Sequence, residues 1–175
     1  FDVAVDIIKA AKEAGADAVK LQTYTPDTLT IDAETEHFRV GKGTIWEGRT
    51  LYELYGEAYT PWEWQPKLKN VADELGLDLF STPFDDTAVD FLEDMDVPAH
   101  KIASFEIVDI PLLRKIAQTG KPIIMSTGMA TLAEIDEAVT TIREAGGCEL
   151  ALLKCTSAYP APPEKMNLQT IRHLS

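Results

Sequence analysis

Residues 77–104 read LDLFSTPFDDTAVDFLEDMDVPAHKIAS, and their pattern decides the fold. An apolar run, 77–80, passes into Ser81, Thr82 and Pro83. Asp85 then opens a helical pattern that runs to Met95. A second apolar run, 99–104, follows at once. Strand, helix and strand in so short a span predict a parallel pair joined by a helical crossover.

The same alternation continues in both directions. Upstream, residues 61–75 carry Trp64, Leu68, Val71 and Leu75 on one helical stripe. Thr60, Pro61 and Glu63 have the form of a capping box with proline in the first turn. Pro66 would break the ladder one turn in, so this helix is predicted to kink or start late. Residues 1–14 place Phe1, Val5, Ile8 and Ala11 at helical spacing, with Gly15 as terminator, and ADAVKLQTY (16–24) reads as a strand. The segment 26–59, with Trp46 and several tyrosines, is long for a plain connection. It reads as a binding loop or an excursion over a barrel mouth. Downstream come a helix at 109–120 closed by Gly120, a strand in KPIIMSTG (121–128), and a helix at 131–147 with a second capping box, Thr131 and Glu134. A last strand lies in ELALLKCTS (149–157).

Five helix–strand units in series predict an α/β protein with a parallel sheet. A doubly wound open sheet and a (β/α)8 TIM barrel both accommodate them. No G-x-G-x-x-G or P-loop follows any strand, which weakens the nucleotide-binding open sheet. Five units are too few for a closed barrel of about 250 residues. Residues 1–175 therefore read as one partial barrel domain, entered at the first helix and left after the sixth strand. Such a piece would leave apolar strand edges uncovered, which predicts association or low stability in isolation.

The net charge of −13 argues against nucleic acid or an anionic membrane as partner. No apolar run approaches the ~20 residues of a membrane helix, and no signal peptide opens the chain, so a cytoplasmic location is expected. Cys148 and Cys155 show no metal or C-x-x-C spacing and are expected to be reduced and mostly buried. His37, His100 and His173 lie in different segments, so structural or surface roles are expected, with no metal site in this chain.

Polar residues end every strand: Lys20, Gln22 and Thr23; Ser81 and Thr82; Lys101, Ser104 and Glu106; Ser126 and Thr127; Lys154, Thr156, Ser157 and Tyr159. In a parallel α/β architecture these ends share one rim, where active sites are built. Lys20 and Gln22 must face one side of their strand and Val19 and Leu21 the other. An unpaired buried ammonium is costly, and lysines on neighbouring strands cannot pair with each other. Glu106 could serve one of them. A phosphate or carboxylate ligand could serve several, with Thr82, Ser104 and Ser126 as hydroxyl donors.

The stretches KLQTY, FSTPFDDTAVDFLEDMDVPAHKIASFEIVDIPLL, GKPIIMSTGMA and ALLKCTSAYPAPPE resemble the sialic acid synthase family, the phosphoenolpyruvate-condensing nonulosonate synthases. The segment GTIWEGRTLYELYGEAYTPWEWQPKL, with lysine at 154 where sialic acid synthases usually have histidine, resembles the pseudaminic acid synthase branch. The resemblance implies a (β/α)8 barrel followed by a small antifreeze-like domain, paired as a homodimer. It implies condensation of phosphoenolpyruvate with a diacetamido hexose, with a divalent metal, Mn or Mg. Lys20, Thr82, Lys101, Ser104, Ser126 and Ser157 match positions that hold phosphoenolpyruvate, with Ser157 replacing an asparagine of some relatives. Gln22, Glu106 and Tyr159 match positions facing the acceptor sugar, and Lys101 and Glu106 are the expected catalytic pair. The first strand with its glutamate, the two metal-ligand histidines and the antifreeze-like domain would lie outside residues 1–175. Alternatives are an N-acetylneuraminate or legionaminate synthase, a Schiff-base aldolase using Lys101 or Lys20, and a non-catalytic sugar-phosphate-binding module.

Overall fold

The computed structural model describes residues 1–41, 45–147, 149–158 and 160–174. In chain order the elements are α1 (Asp2–Glu13), β1 (Ala18–Thr23), α2 (Pro26–Leu29), α3 (Leu51–Ala58), α4 (Gln65–Glu74), β2 (Asp78–Pro83) and α5 (Asp86–Asp94). Then follow β3 (His100–Ile102), α6 (Ile110–Gln118), β4 (Ile123–Ser126), α7 (Leu132–Ala145), β5 (Leu150–Leu153) and α8 (Ile171–Leu174), with short 3-10 turns between several of them.

All strand pairs are parallel, and their spatial order, β1-β2-β3-β4-β5, is their chain order. A doubly wound sheet reverses its order at a switch point. This sheet does not, so right-handed crossovers gather the helices on one face. The result is an incomplete α/β barrel, and the open-sheet alternative is set aside.

Alternation along each strand sorts the residues between two faces. Toward the helices point Val19, Leu21 and Leu79, which pack with Ile8, Leu68, Ala72 and Leu77. On the same face Ile102, Ile123 and Met125 pack with Leu112, Leu113, Ile116, Ala138 and Ile142. The opposite face carries Lys20, Gln22, Phe80, Thr82, Lys101, Ile124 and Ser126. Register puts Lys20 beside Phe80, Gln22 beside Thr82 and Lys101 beside Ile124.

Local signals set the helix starts. Asp85 caps α5 by accepting from the Thr87 and Ala88 amides, Asp109 caps α6 from the Leu112 amide, and Thr131 and Glu134 close the expected box on α7. The box expected from Thr60 and Glu63 does not form. Trp62–Trp64 is a 3-10 turn, and α4 begins only at Gln65, with Pro66 in its first turn. An α-helix begun at Pro61 would have put Pro66 in its interior, where it lacks the needed N–H. Among its described residues the segment 26–59 holds α2, a 3-10 turn at Glu36–Phe38 and α3. Thr50 and Glu53 form a true capping box on α3, and Arg39 bridges to Thr50.

His100 is structural, as expected. It is fully buried, and its Nε2 lies 2.7 Å from Glu93 Oε1, which Lys121 approaches at 3.3 Å. His37 and His173 are exposed. Cys155 is half-buried rather than mostly buried, and Cys148 lies outside the described residues.

Candidate active site

Nine of the strand-end residues line one cavity of about 520 Å³ on the inner face. They are Lys20, Gln22, Thr82, Lys101, Ser104, Glu106, Ser126, Thr156 and Ser157. Eight of the nine candidate residues thus meet in one place. The ninth, Tyr159, lies outside the described residues.

The other strand-end residues are turned away, by the same alternation. Thr23 donates to Gln65 Oε1 at 2.8 Å and sits 2.7 Å from the Ser81 hydroxyl, so both seal the sheet against α4. Thr127 donates to the Leu153 carbonyl. Lys154 follows Leu150 and Leu152 to the helix side, where its Nζ donates to the Cys155 carbonyl at 3.0 Å and to Thr156 Oγ1 at 3.1 Å. The rim therefore presents two lysines to the cavity, not three.

Lys101 is the centre of the site. It is 8% exposed, and its Nζ donates to the Ile102 carbonyl and to Ser126 Oγ, each at 2.6 Å. Both acceptors are neutral, so they orient the ammonium without cancelling its charge. Burial, and next the charge of Lys20, push Lys101 from the ordinary lysine value of 10.5 down to about 8, against weaker opposing pulls from Cys155 and Glu106. Burial also lowers Lys20. Two cations that destabilise each other across one cavity form a site short of negative charge.

Glu106 sits at the cavity wall on the 3-10 turn Glu106–Val108. Its Oε2 is buried with no hydrogen-bond partner. Burial above all raises its pKa, and Asp109 adds to this; a backbone hydrogen bond and Lys101 work against it. A carboxyl so placed can hold or pass a proton to a ligand group facing it.

Four contributors escaped the sequence reading. Gly128 is buried just past β4, and its amide donates to Ser104 Oγ at 3.2 Å. A Cβ there would lie 2.6 Å from Ser157 Oγ and 2.8 Å from Ser104 Oγ, so only glycine leaves both hydroxyls in place. Cys155 reaches the cavity and donates from Sγ to Ser126 Oγ at 3.3 Å. Phe84 and Phe105 supply apolar wall. The available signal was the glycine directly after the polar end of a strand, in STGMA.

Set beside known proteins, residues 7–175 match the sequence profile of the NeuB family. The chain is 46% identical over 168 residues to pseudaminic acid synthase of Helicobacter pylori, covering 96% of this chain and 49% of that protein. It is 47% identical over 171 residues to pseudaminic acid synthase of Campylobacter jejuni, covering 98% of this chain and 50% of that protein. Among solved structures, N-acetylneuraminic acid synthetase of Leptospira borgpetersenii superposes with a TM-score of 0.82 at 29% identity, over 99% of this chain and 55% of that one. The chain spans about half the length of the curated relatives it matches. Its sheet order, its cavity and a family match over residues 7–175 agree: the chain belongs to the NeuB family.

Proposed function

We propose that this chain forms the phosphoenolpyruvate-binding part of a pseudaminic acid synthase, which joins phosphoenolpyruvate to 2,4-diacetamido-2,4,6-trideoxy-altrose and releases phosphate. One observation carries the reading. Lys20 and Lys101 face one cavity with the hydroxyls of Thr82, Ser104, Ser126 and Ser157, and burial first, then the charge of Lys20, disfavours the Lys101 ammonium. A small polyanion relieves that repulsion and accepts every donor. The names of the relatives in Helicobacter and Campylobacter support the pseudaminic acid branch.

In this reading the methylene carbon of phosphoenolpyruvate attacks the sugar aldehyde carbon, whose oxygen takes up a proton and becomes a hydroxyl. Water adds to the phosphate-bearing carbon and gives up its protons, and phosphate leaves from that tetrahedral centre by C–O cleavage, which leaves a keto group. The chain's own residues neutralise and aim the donor, work that fixed ammoniums and hydroxyls do without reorganising. Lys101 acts as a charge clamp with an oriented ammonium, not as a Schiff-base nucleophile. Gln22 and Glu106, on the cavity wall, face the acceptor, and Glu106 handles its proton. Tyr159 joins them in binding the sugar. The divalent metal finds no set of three or more His, Cys, Asp or Glu side chains among the described residues. Its ligands would come from other parts of the whole protein. The same reading makes the whole protein a cytoplasmic homodimer with a completed barrel and an antifreeze-like domain. Among the described residues, no helix is long and apolar enough to cross a membrane.

The test is an acceptor panel with phosphoenolpyruvate and manganese, following phosphate release by the whole natural protein. The diacetamido altrose is expected to react, and turnover of N-acetylmannosamine alone would overturn the branch. Gly128→Ala is expected to raise KM for phosphoenolpyruvate about tenfold. The new methyl must swing the Ser104 and Ser157 hydroxyls away from the ligand. Its effect on the acceptor's KM should be under about twofold, since no acceptor-facing residue meets that methyl.

A further inference from the structure

Ser126 carries one hydroxyl between two protein donors. Lys101 Nζ donates to its Oγ at 2.6 Å, and Cys155 Sγ donates to the same oxygen at 3.3 Å. A hydroxyl has two acceptor lone pairs and one proton. With both lone pairs engaged, the proton has one direction left, and Ser126 makes no hydrogen bond as donor to the described residues. Ser126 lines the cavity, so that direction is where the donor anion would sit. Ser104 is held less tightly: its Oγ accepts from the Gly128 amide at 3.2 Å, which engages one lone pair and leaves the rotor free to turn its proton to the cavity.

The arrangement sets polarity as well as position. A free serine rotor offers a ligand either a proton or a lone pair. An anion gains only from the proton, and a lone pair turned toward it repels. Cys155 reaches Ser126 from two residues past the end of β5, which pairs with β4 and puts Leu153 beside Ser126. Its thiol is a weak donor, yet only the orientation of a rotor is asked of it, because Lys101 supplies the charge.

We propose that Cys155 is a positioning residue. Its thiol occupies the second lone pair of Ser126 and so locks the Ser126 proton onto bound phosphoenolpyruvate. The inference rests on the proposed function, because it takes that polyanion as the ligand.

A double-mutant cycle on the whole protein tests it, with calorimetric Kd for phosphoenolpyruvate as the readout. Cys155→Ala is expected to weaken binding about fivefold, the size of one neutral hydrogen bond. In a Ser126→Ala background the same change is expected to cost less than about 1.5-fold, since there is no rotor left to orient. Cys155→Ser, which restores a donor, is expected to recover most of the loss. It completes the cycle even if the alanine variant folds poorly, as a melting curve of each variant would reveal. Equal losses in both backgrounds would overturn the positioning role while leaving the proposed function intact, and so would a serine variant no better than alanine. Absence of phosphoenolpyruvate binding by the unaltered protein would overturn both together.

Discussion

Lys101→Met is expected to lower kcat/KM for phosphoenolpyruvate about a thousandfold and, at the same time, to make the fold more stable. The loss follows from removing the one fully placed cation of the cavity. Truncating one partner of a buried, hydrogen-bonded charge pair costs about 2–5 kcal/mol, and a thousandfold lies within that range. The gain follows from the free protein. Its displacement from 10.5 to about 8 means that the folded state carries the ammonium, below pH 8, at a cost on the order of 3 kcal/mol. Methionine fills a similar volume without charge. It forfeits the bonds to the Ile102 carbonyl and Ser126 Oγ, which returns about half of that gain. Urea unfolding at pH 7 should therefore show a net stabilisation of about 1–2 kcal/mol. The sign has a second check. A base lowered on folding leaves the unfolded state with more bound protons between pH 8 and 10.5, so stability rises with pH across that window. That rise should vanish in Lys101→Met. A destabilised variant would mean that Lys101 is a structural tie rather than a ligand clamp.

That conflict between stability and binding bears on what the sequence could convey. Strand phase alone separated Lys20 and Gln22 from Val19 and Leu21, because side chains alternate with period two along any strand. Phase did not say which parity of the other strands faces inward. Ser81, Thr127 and Lys154 each sit one residue from an inward position, and only their hydrogen bonds in the folded chain settled them. The helix at 51–58 escaped because the glycines and proline around it punctuate the segment as loop, although Thr50 and Glu53 carried its capping signal. At Thr60 the same kind of signal failed, since Pro66 forbade the helix that the box would have capped. Gly128 and Cys155 were hidden for another reason. Their role lies in how closely two loops from different strands approach, which no local pattern encodes. The long motifs nevertheless pointed to the family that the profile match shows.

The basic limb of the pH profile offers the last test, and its expected size is also large. In kcat/KM the limb reports the free protein. Lys101 must be an ammonium to clamp a polyanion, and it loses its proton near pH 8. Efficiency with phosphoenolpyruvate should thus fall about tenfold for each pH unit above 8, reaching about a hundredfold at pH 10. The bound anion favours the ammonium, so at saturating phosphoenolpyruvate the limb in kcat should move to higher pH. Burial is the main cause of the low value and Lys20 the second. Lys20→Met removes only the second, so it should lower the plateau of kcat/KM yet shift its basic limb upward. A surface lysine acting through general charge would give no such displacement, because salt and water screen it. A limb that stays near pH 8 in Lys20→Met, or that disappears in neither lysine variant, would assign the titration to another group and remove Lys101 from the centre of the site.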